Sequence, residues 1–116
     1  MNFLPCALEG ERIVFDGGHL SAPPGVAARP GDKLVLGVRP HGLRPAVGEA
    51  DAVPARLIDV EDRGAFRLAD IAIGRNRLRM RVGEREWLPA DGLRVAFRPE
   101  ATLLYANDRL LESRHA

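Results

Sequence analysis

Cysteine, lysine, tryptophan and tyrosine each occur once among the 116 residues. The single thiol, Cys6, excludes an intramolecular disulfide, and nothing in the chain signals export. No apolar run approaches the ~20 residues that span a bilayer, and no charged-then-apolar segment reads as a signal peptide. The expectation is a soluble, cytoplasmic chain whose membrane association, if any, runs through partners. Aromatics at 5% are too sparse for a base-stacking platform. Seventeen basic residues against sixteen acidic ones leave a net charge of +1, too weak a field to displace counterions from phosphates. No nucleic-acid partner is expected.

Catalytic signatures are missing as well. There is no Gly-x-x-x-x-Gly-Lys-Ser/Thr loop, and the only lysine, Lys33, follows Gly31-Asp32 in a turn. Nucleotide hydrolysis by these residues is excluded on that ground. His19, His41 and His115 stand far apart with no His-x-x-x-His or Cys-x-x-Cys spacing, so no metal site is expected. Cys6 has no neighbouring histidine to lower its pKa and reads as a small half-buried hydrophobe. Glu61 and Asp62 are adjacent, so on a strand they point to opposite faces and cannot share acid–base work. The sequence therefore predicts no catalytic residue, cofactor or metal.

What is present is frequent turn punctuation between short apolar runs. Asp16-Gly17-Gly18 divides Arg12–Phe15 from His19-Leu20, a hairpin because glycine accepts positive φ. Pro30-Gly31-Asp32 leads into a strand over Leu34–Val38 that stops at Pro40. Further strands are expected between Val53 and Val60, on Phe66, Leu68 and Ile71, on Leu78, Met80 and Val82, and over 93–97 and 102–105. No window carries a 3.6-residue apolar period free of Gly and Pro; 108–114 is the nearest, as a terminal helical turn or a frayed end. Short strands at this spacing predict an all-β class, a small closed or nearly closed barrel in one domain over 1–116.

The chain also repeats itself. Pro30–Pro40 aligns without gaps on Pro89–Pro99, with five identities and the alternate apolar positions, Leu34, Leu36 and Val38, matched in type. Each copy reads turn, strand, then Arg-Pro, and proline ends the pairing because it has no N–H to give. The expectation is two related β-halves around a shared core. One charge pattern has a shape: Arg75, Arg77, Arg79 and Arg81 would share a strand face, as an oxyanion cradle or as a solvated face balanced by Asp70, Glu84 or Glu86. Trp87 reads as a core or interface anchor.

Several segments together resemble one family. Met1-Asn2-Phe3-Leu4-Pro5 is similar to the opening of the C-terminal region of maltose- and glycerol-phosphate-type ABC-importer ATPases. Leu8-Glu9-Gly10 and Val14–Gly18 resemble that region's first hairpin. Gly37-Val38-Arg39-Pro40-His41-Gly42-Leu43 is similar to Gly-Ile-Arg-Pro-Glu-His-Leu, with His41-Gly42 in place of Glu-His. Val60-Glu61-Asp62-Arg63-Gly64 follows Val-Glu-x-x-Gly, and Phe97-Arg98-Pro99-Glu100 follows Phe-x-Pro-Glu. The stretch 106–109 lacks that family's glycine near the end. The positions carrying the resemblance are Asn2, Phe3, Leu4, Arg39, Pro40, Glu61, Gly64, Pro99 and Glu100.

The resemblance implies a transport-associated oligonucleotide-binding-like (OB-like) domain, a barrel that dimerises beside paired ATPase domains and regulates them. The implied partners are its own ATPase domain, a second copy, membrane permease subunits indirectly, and a cytoplasmic regulator. ATP and Mg would belong to the ATPase domain, outside these residues, and the transporter would hold the chain at the inner membrane face. Gly74-Arg75-Asn76-Arg77-Leu78 is similar, without its serine, to the Ser-Ala-Arg-Asn-x-Leu stretch of molybdate-binding barrels. It implies the alternative of a small oxyanion-binding module using Arg75, Arg77, Arg79 and Arg81.

Overall fold

The computed structural model describes residues 1–22, 32–48, 51–89, 91–107 and 109–111. Pro30, Gly31, Ala90, Asp108 and 112–116 lie outside them, and with them part of the predicted turns, the remainder of the predicted terminal helical turn, and His115. The described residues form twelve strands and two short 3-10 turns. Three antiparallel sheets result. The first has six strands in the order β12 (Arg109–Leu111), β11 (Thr102–Ala106), β4 (Leu34–Val38), β1 (Asn2–Glu9), β2 (Arg12–Phe15) and β3 (Gly18–Ser21). The second runs β5 (Leu43–Pro45), β10 (Arg94–Phe97), β6 (Val53–Pro54), and the third β7 (Arg56–Asp62), β8 (Phe66–Ile73), β9 (Asn76–Gly83). The fold is all-β. Its architecture fits a small OB-like barrel, although no sheet closes on itself among the described residues.

The sequence repeat is a structural one, and its halves exchange strands. In the first half β4 ends at the 3-10 turn Pro40–Gly42, and in the second β10 ends at the 3-10 turn Pro99–Ala101. The chain leaving the first turn pairs with the second half: Leu43 with Phe97, Arg44 with Ala96, Pro45 with Val95. The chain leaving the second pairs with the first half in the matching register: Thr102 with Val38, Leu103 with Gly37, Leu104 with Leu36. Backbone bonds cross between the turns in the same way. Arg98 N–H donates to the Gly42 carbonyl at 2.7 Å and Arg39 N–H to the Ala101 carbonyl at 3.4 Å. The correspondence extends upstream, where Leu4-Pro5 of β1 faces Leu36-Val35 as Val53-Pro54 of β6 faces Val95-Arg94.

The hairpin tips of the two halves meet. The turn between Phe15 and Gly18 abuts the turn between Ile73 and Asn76, and the backbones at Gly17 and Gly74 approach so closely that a Cβ on Gly17 would strike Gly74 N. The Asp16 carboxylate accepts the Arg75 N–H at 2.7 Å, and its carbonyl accepts Asn76 Nδ2 at 3.0 Å. Both glycines have positive φ, so glycine meets two demands here: left-handed backbone and no side chain.

Three local readings change. The segment 109–111 is a strand, not a helical turn, and pairs with Leu104–Ala106. Asn107 reverses the chain with φ +52, the left-handed conformation that Gly48 takes at the corresponding place in the first half. Asn tolerates that region better than most residues. In β8, Ile71 lies on the buried face with Ala69 and Ile73, opposite the face of Phe66 and Leu68. β1, absent from the strand pattern read above, is eight residues long despite Pro5. Pro5 is tolerated because, among the described residues, β1 has β4 as its only partner there; pairing with β2 begins at Cys6.

Candidate interaction surface

An antiparallel sheet with one wet face normally alternates apolar-in and polar-out. Four strands of the six-stranded sheet, β1, β4, β11 and β12, depart from that pattern. The sheet's inner face contributes Leu4, Ile13, Phe15, Leu36, Val38 and Leu104 to the core. Its outer face is apolar as well, over four adjacent strands. One row is Phe3, Gly37 and Leu103; the next is Pro5, Val35, Tyr105 and Leu110. Phe3 is 57% exposed, Leu110 49% and Met1, beside them, 48%. Gly37 makes this face flat: a Cβ there would lie 2.9 Å from the Tyr105 ring, 3.1 Å from Met1 Sδ and 3.4 Å from the Phe3 ring. Without it, Phe3 and Tyr105 sit edge to face with centroids 6.3 Å apart, a favoured aromatic geometry. No charged side chain stands in either row.

The motif positions divide between this surface and the frame behind it. Phe3 is on the surface and Leu4, fully buried, beneath it. Asn2 bridges the first sheet to the third: Nδ2 donates to the Arg79 carbonyl at 2.8 Å and Oδ1 accepts the Arg79 N–H at 2.9 Å. Arg39-Pro40 and Pro99-Glu100 shape the two 3-10 turns. Glu61 pairs with Arg63 at 3.2 Å and Arg79 at 3.8 Å. Gly64 turns β7 into β8 with positive φ, its N–H bonded to Asp62 Oδ1 at 2.8 Å. These nine positions do not converge on one pocket.

The arginine pattern is only partly a shared face. Arg77, Arg79 and Arg81 project from the exposed side of β9, whereas Arg75 lies in the turn before it. Arg79 Nε bonds Asp70 at 3.1 Å, and Arg81 lies over the Phe66 ring at 4.1 Å. Two of the three guanidinium groups are therefore held by a carboxylate and an aromatic face. Arg77 has no ion pair among the described residues. Trp87 is not a core residue: it is 71% exposed, beside the cleft formed by Pro45, Val47 and Pro89.

Burial pushes the Cys6 thiol up to about 11, a backbone hydrogen bond from Leu36 offsetting part of the rise. It is protonated at neutral pH, so it is no thiolate nucleophile there. Among the described residues no three His, Cys, Asp or Glu side chains group as a metal site, and no helix is long and apolar enough to cross a membrane.

Comparison with protein-family models gives no match, and neither does comparison with curated proteins. The surface that sequence reasoning missed is the outer sheet face. Its signal is continuous apolarity instead of alternation, as in Phe3-Leu4-Pro5-Cys6-Ala7-Leu8 and Leu34-Val35-Leu36-Gly37-Val38.

Proposed function

We propose that this chain is a non-catalytic regulatory and dimerisation domain of an ABC-transporter ATP-binding subunit, serving an importer of sugars, polyols or glycerol phosphates. The observation that carries the reading is the uncharged apolar patch that β1, β4, β11 and β12 form on the outer face of the six-stranded sheet. A contiguous apolar face of this kind marks a protein interface, and the absence of charge argues against a polyanionic partner. The Met1–Pro5 motif supports the transporter assignment, since it supplies Phe3 to that face and Asn2 and Leu4 to the frame behind it. The domain contributes contacts, and ATP chemistry belongs to an ATPase domain outside these residues.

Sedimentation velocity tests the dimer: the wild-type chain self-associates in a concentration-dependent way, and Phe3→Arg shifts it to monomer without lowering Tm. A wild-type chain that stays monomeric overturns the dimerisation role. Walker-type motifs encoded in frame before this segment are expected; their absence overturns the transporter assignment.

The oxyanion alternative has less to support it, because Arg79 and Arg81 already have partners and Arg75 leaves the strand.

A further inference from the structure

Among the described residues the two halves are alike but do not pack in the same way. In the second half, β9 continues to Gly83 and packs against the 3-10 turn Pro40–Gly42 and against β5. The counterpart of β9 is β3, with Leu20 matching Leu78 by hairpin position. β3 ends at Ser21 and makes no comparable packing on the turn Pro99–Ala101 or on β11 among the described residues. A cleft of about 340 Å³ lies between the first and second sheets. Its apolar wall comes from Ile13, Leu20, Leu36, Leu104 and Phe97, which belong to five different strands. Four polar side chains stand with them: Ser21, Arg44, Asp51 and Thr102. Ser21 Oγ donates to Asp51 Oδ1 at 3.4 Å, and Thr102 Oγ1 to the Arg98 carbonyl at 2.7 Å.

We infer that this cleft is a binding site for a small, uncharged amphipathic molecule. The volume falls within the range of small-ligand sites, which combine apolar walls with a few placed polar groups. The polar set fixes the class of ligand. Among the described residues that line the cleft, Arg44 and Asp51 carry opposite charges, a balance that favours an uncharged occupant over an oxyanion or a cation. The hydroxyls of Ser21 and Thr102 donate to partners already and keep lone pairs that accept from a ligand O–H or N–H. The apolar body of such a molecule lies on Leu20, Leu36 and Leu104, and its hydroxyl or amide head turns toward Ser21 and Thr102. Since the wall includes strands of both exchanged halves, an occupant ties them together and stiffens the domain. The site shares Leu103 with the outer sheet face but draws its apolar wall from the inner one, and it does not depend on the transporter reading.

Methyl-resolved NMR titration of the full chain tests the site, with indole, cyclohexanol and benzoate as probes. Indole and cyclohexanol give saturable shifts at the methyls of Ile13, Leu20, Leu36 and Leu104, and benzoate, being charged, does not. Ser21→Trp, a substitution at an exposed position beside the mouth, weakens binding roughly ten-fold or more while methyl signals away from the cleft keep their wild-type positions. Absence of saturable shifts with both neutral probes overturns the site. Binding that Ser21→Trp leaves unchanged, or benzoate binding as well as the neutral probes, overturns it too.

Discussion

The side-chain amide of Asn2 binds the backbone of Arg79 at both its N–H and its carbonyl, at 2.9 and 2.8 Å. One amide does for β9 what a neighbouring strand would do, and it joins the first half's opening strand to the second half's hairpin. The corresponding contact in the other direction is weaker, from Ser21 to Asp51 at 3.4 Å. The seam between exchanged halves is therefore closed by side chains at places where no backbone ladder reaches.

Replacing Asn2 tests that seam. Asn2→Ala removes both bonds and is expected to cost about 1–2 kcal/mol, read as a lower urea midpoint with unchanged m-value. Asn2→Asp keeps an acceptor for the Arg79 N–H but offers no donor to its carbonyl, and falls between the two. An Asn2→Ala midpoint equal to wild type would show that the seam holds without this residue.

Gly74 and Gly64 both have positive φ but differ in surroundings. A Cβ on Gly74 would lie 2.6 Å from the Asp16 carbonyl oxygen, whereas one on Gly64 would meet nothing within 4 Å. Gly64→Ala should cost only the left-handed conformation, about 1 kcal/mol, and Gly74→Ala about 2–4 kcal/mol because backbone must also move. Thermal melts of the two variants separate the effects. Equal losses would mean that the hairpin tips do not press on each other.

Cys6 gives the domain a pH dependence at the alkaline end. Its folded-state pKa is raised by burial from the ordinary 9.0 to about 11. Above the unfolded pKa the unfolded chain gives up the thiol proton while the folded chain keeps it, so folding binds the extra proton. Stability from this group is whole below about pH 9 and is lost as pH rises toward about 11. Urea midpoints measured from pH 8 to 11 should fall with a slope that Cys6→Ala reduces. A slope identical in the variant would locate the effect elsewhere.

The arginine face is expected to give no saturable heat with molybdate, tungstate or phosphate in titration calorimetry. Arg79 and Arg81 would each have to leave a partner, Asp70 or Phe66, to hold an anion. Saturable binding that Arg77→Ala weakens would reverse that expectation and favour the oxyanion module.

Much of this was legible in the chain because turns and strand ends are local chemistry. Leu34–Val38 begins and ends as expected, since Pro40 has no N–H for the ladder. Arg12–Phe15 ends at Asp16-Gly17 because only glycine meets the turn's backbone demand without strain. β1 was hidden by Pro5, whose tolerance depends on which neighbours pair at that residue. The outer apolar face was hidden for a related reason: sequence gives the parity of Phe3, Val35, Tyr105 and Leu110 along their own strands, but not that these strands lie side by side.

By itself the sequence determined the all-β class, the turns at Asp16-Gly17, Gly64 and Gly74, and the duplication carried by Pro30–Pro40 and Pro89–Pro99, because each rests on dihedral preference, hydrogen-bond supply or direct self-similarity. Only the tertiary structure decided that the duplicated halves exchange strands, that Gly17 meets Gly74, and that strands of both halves line one cleft. These are relations between residues far apart in the chain, set by how the strands share one core.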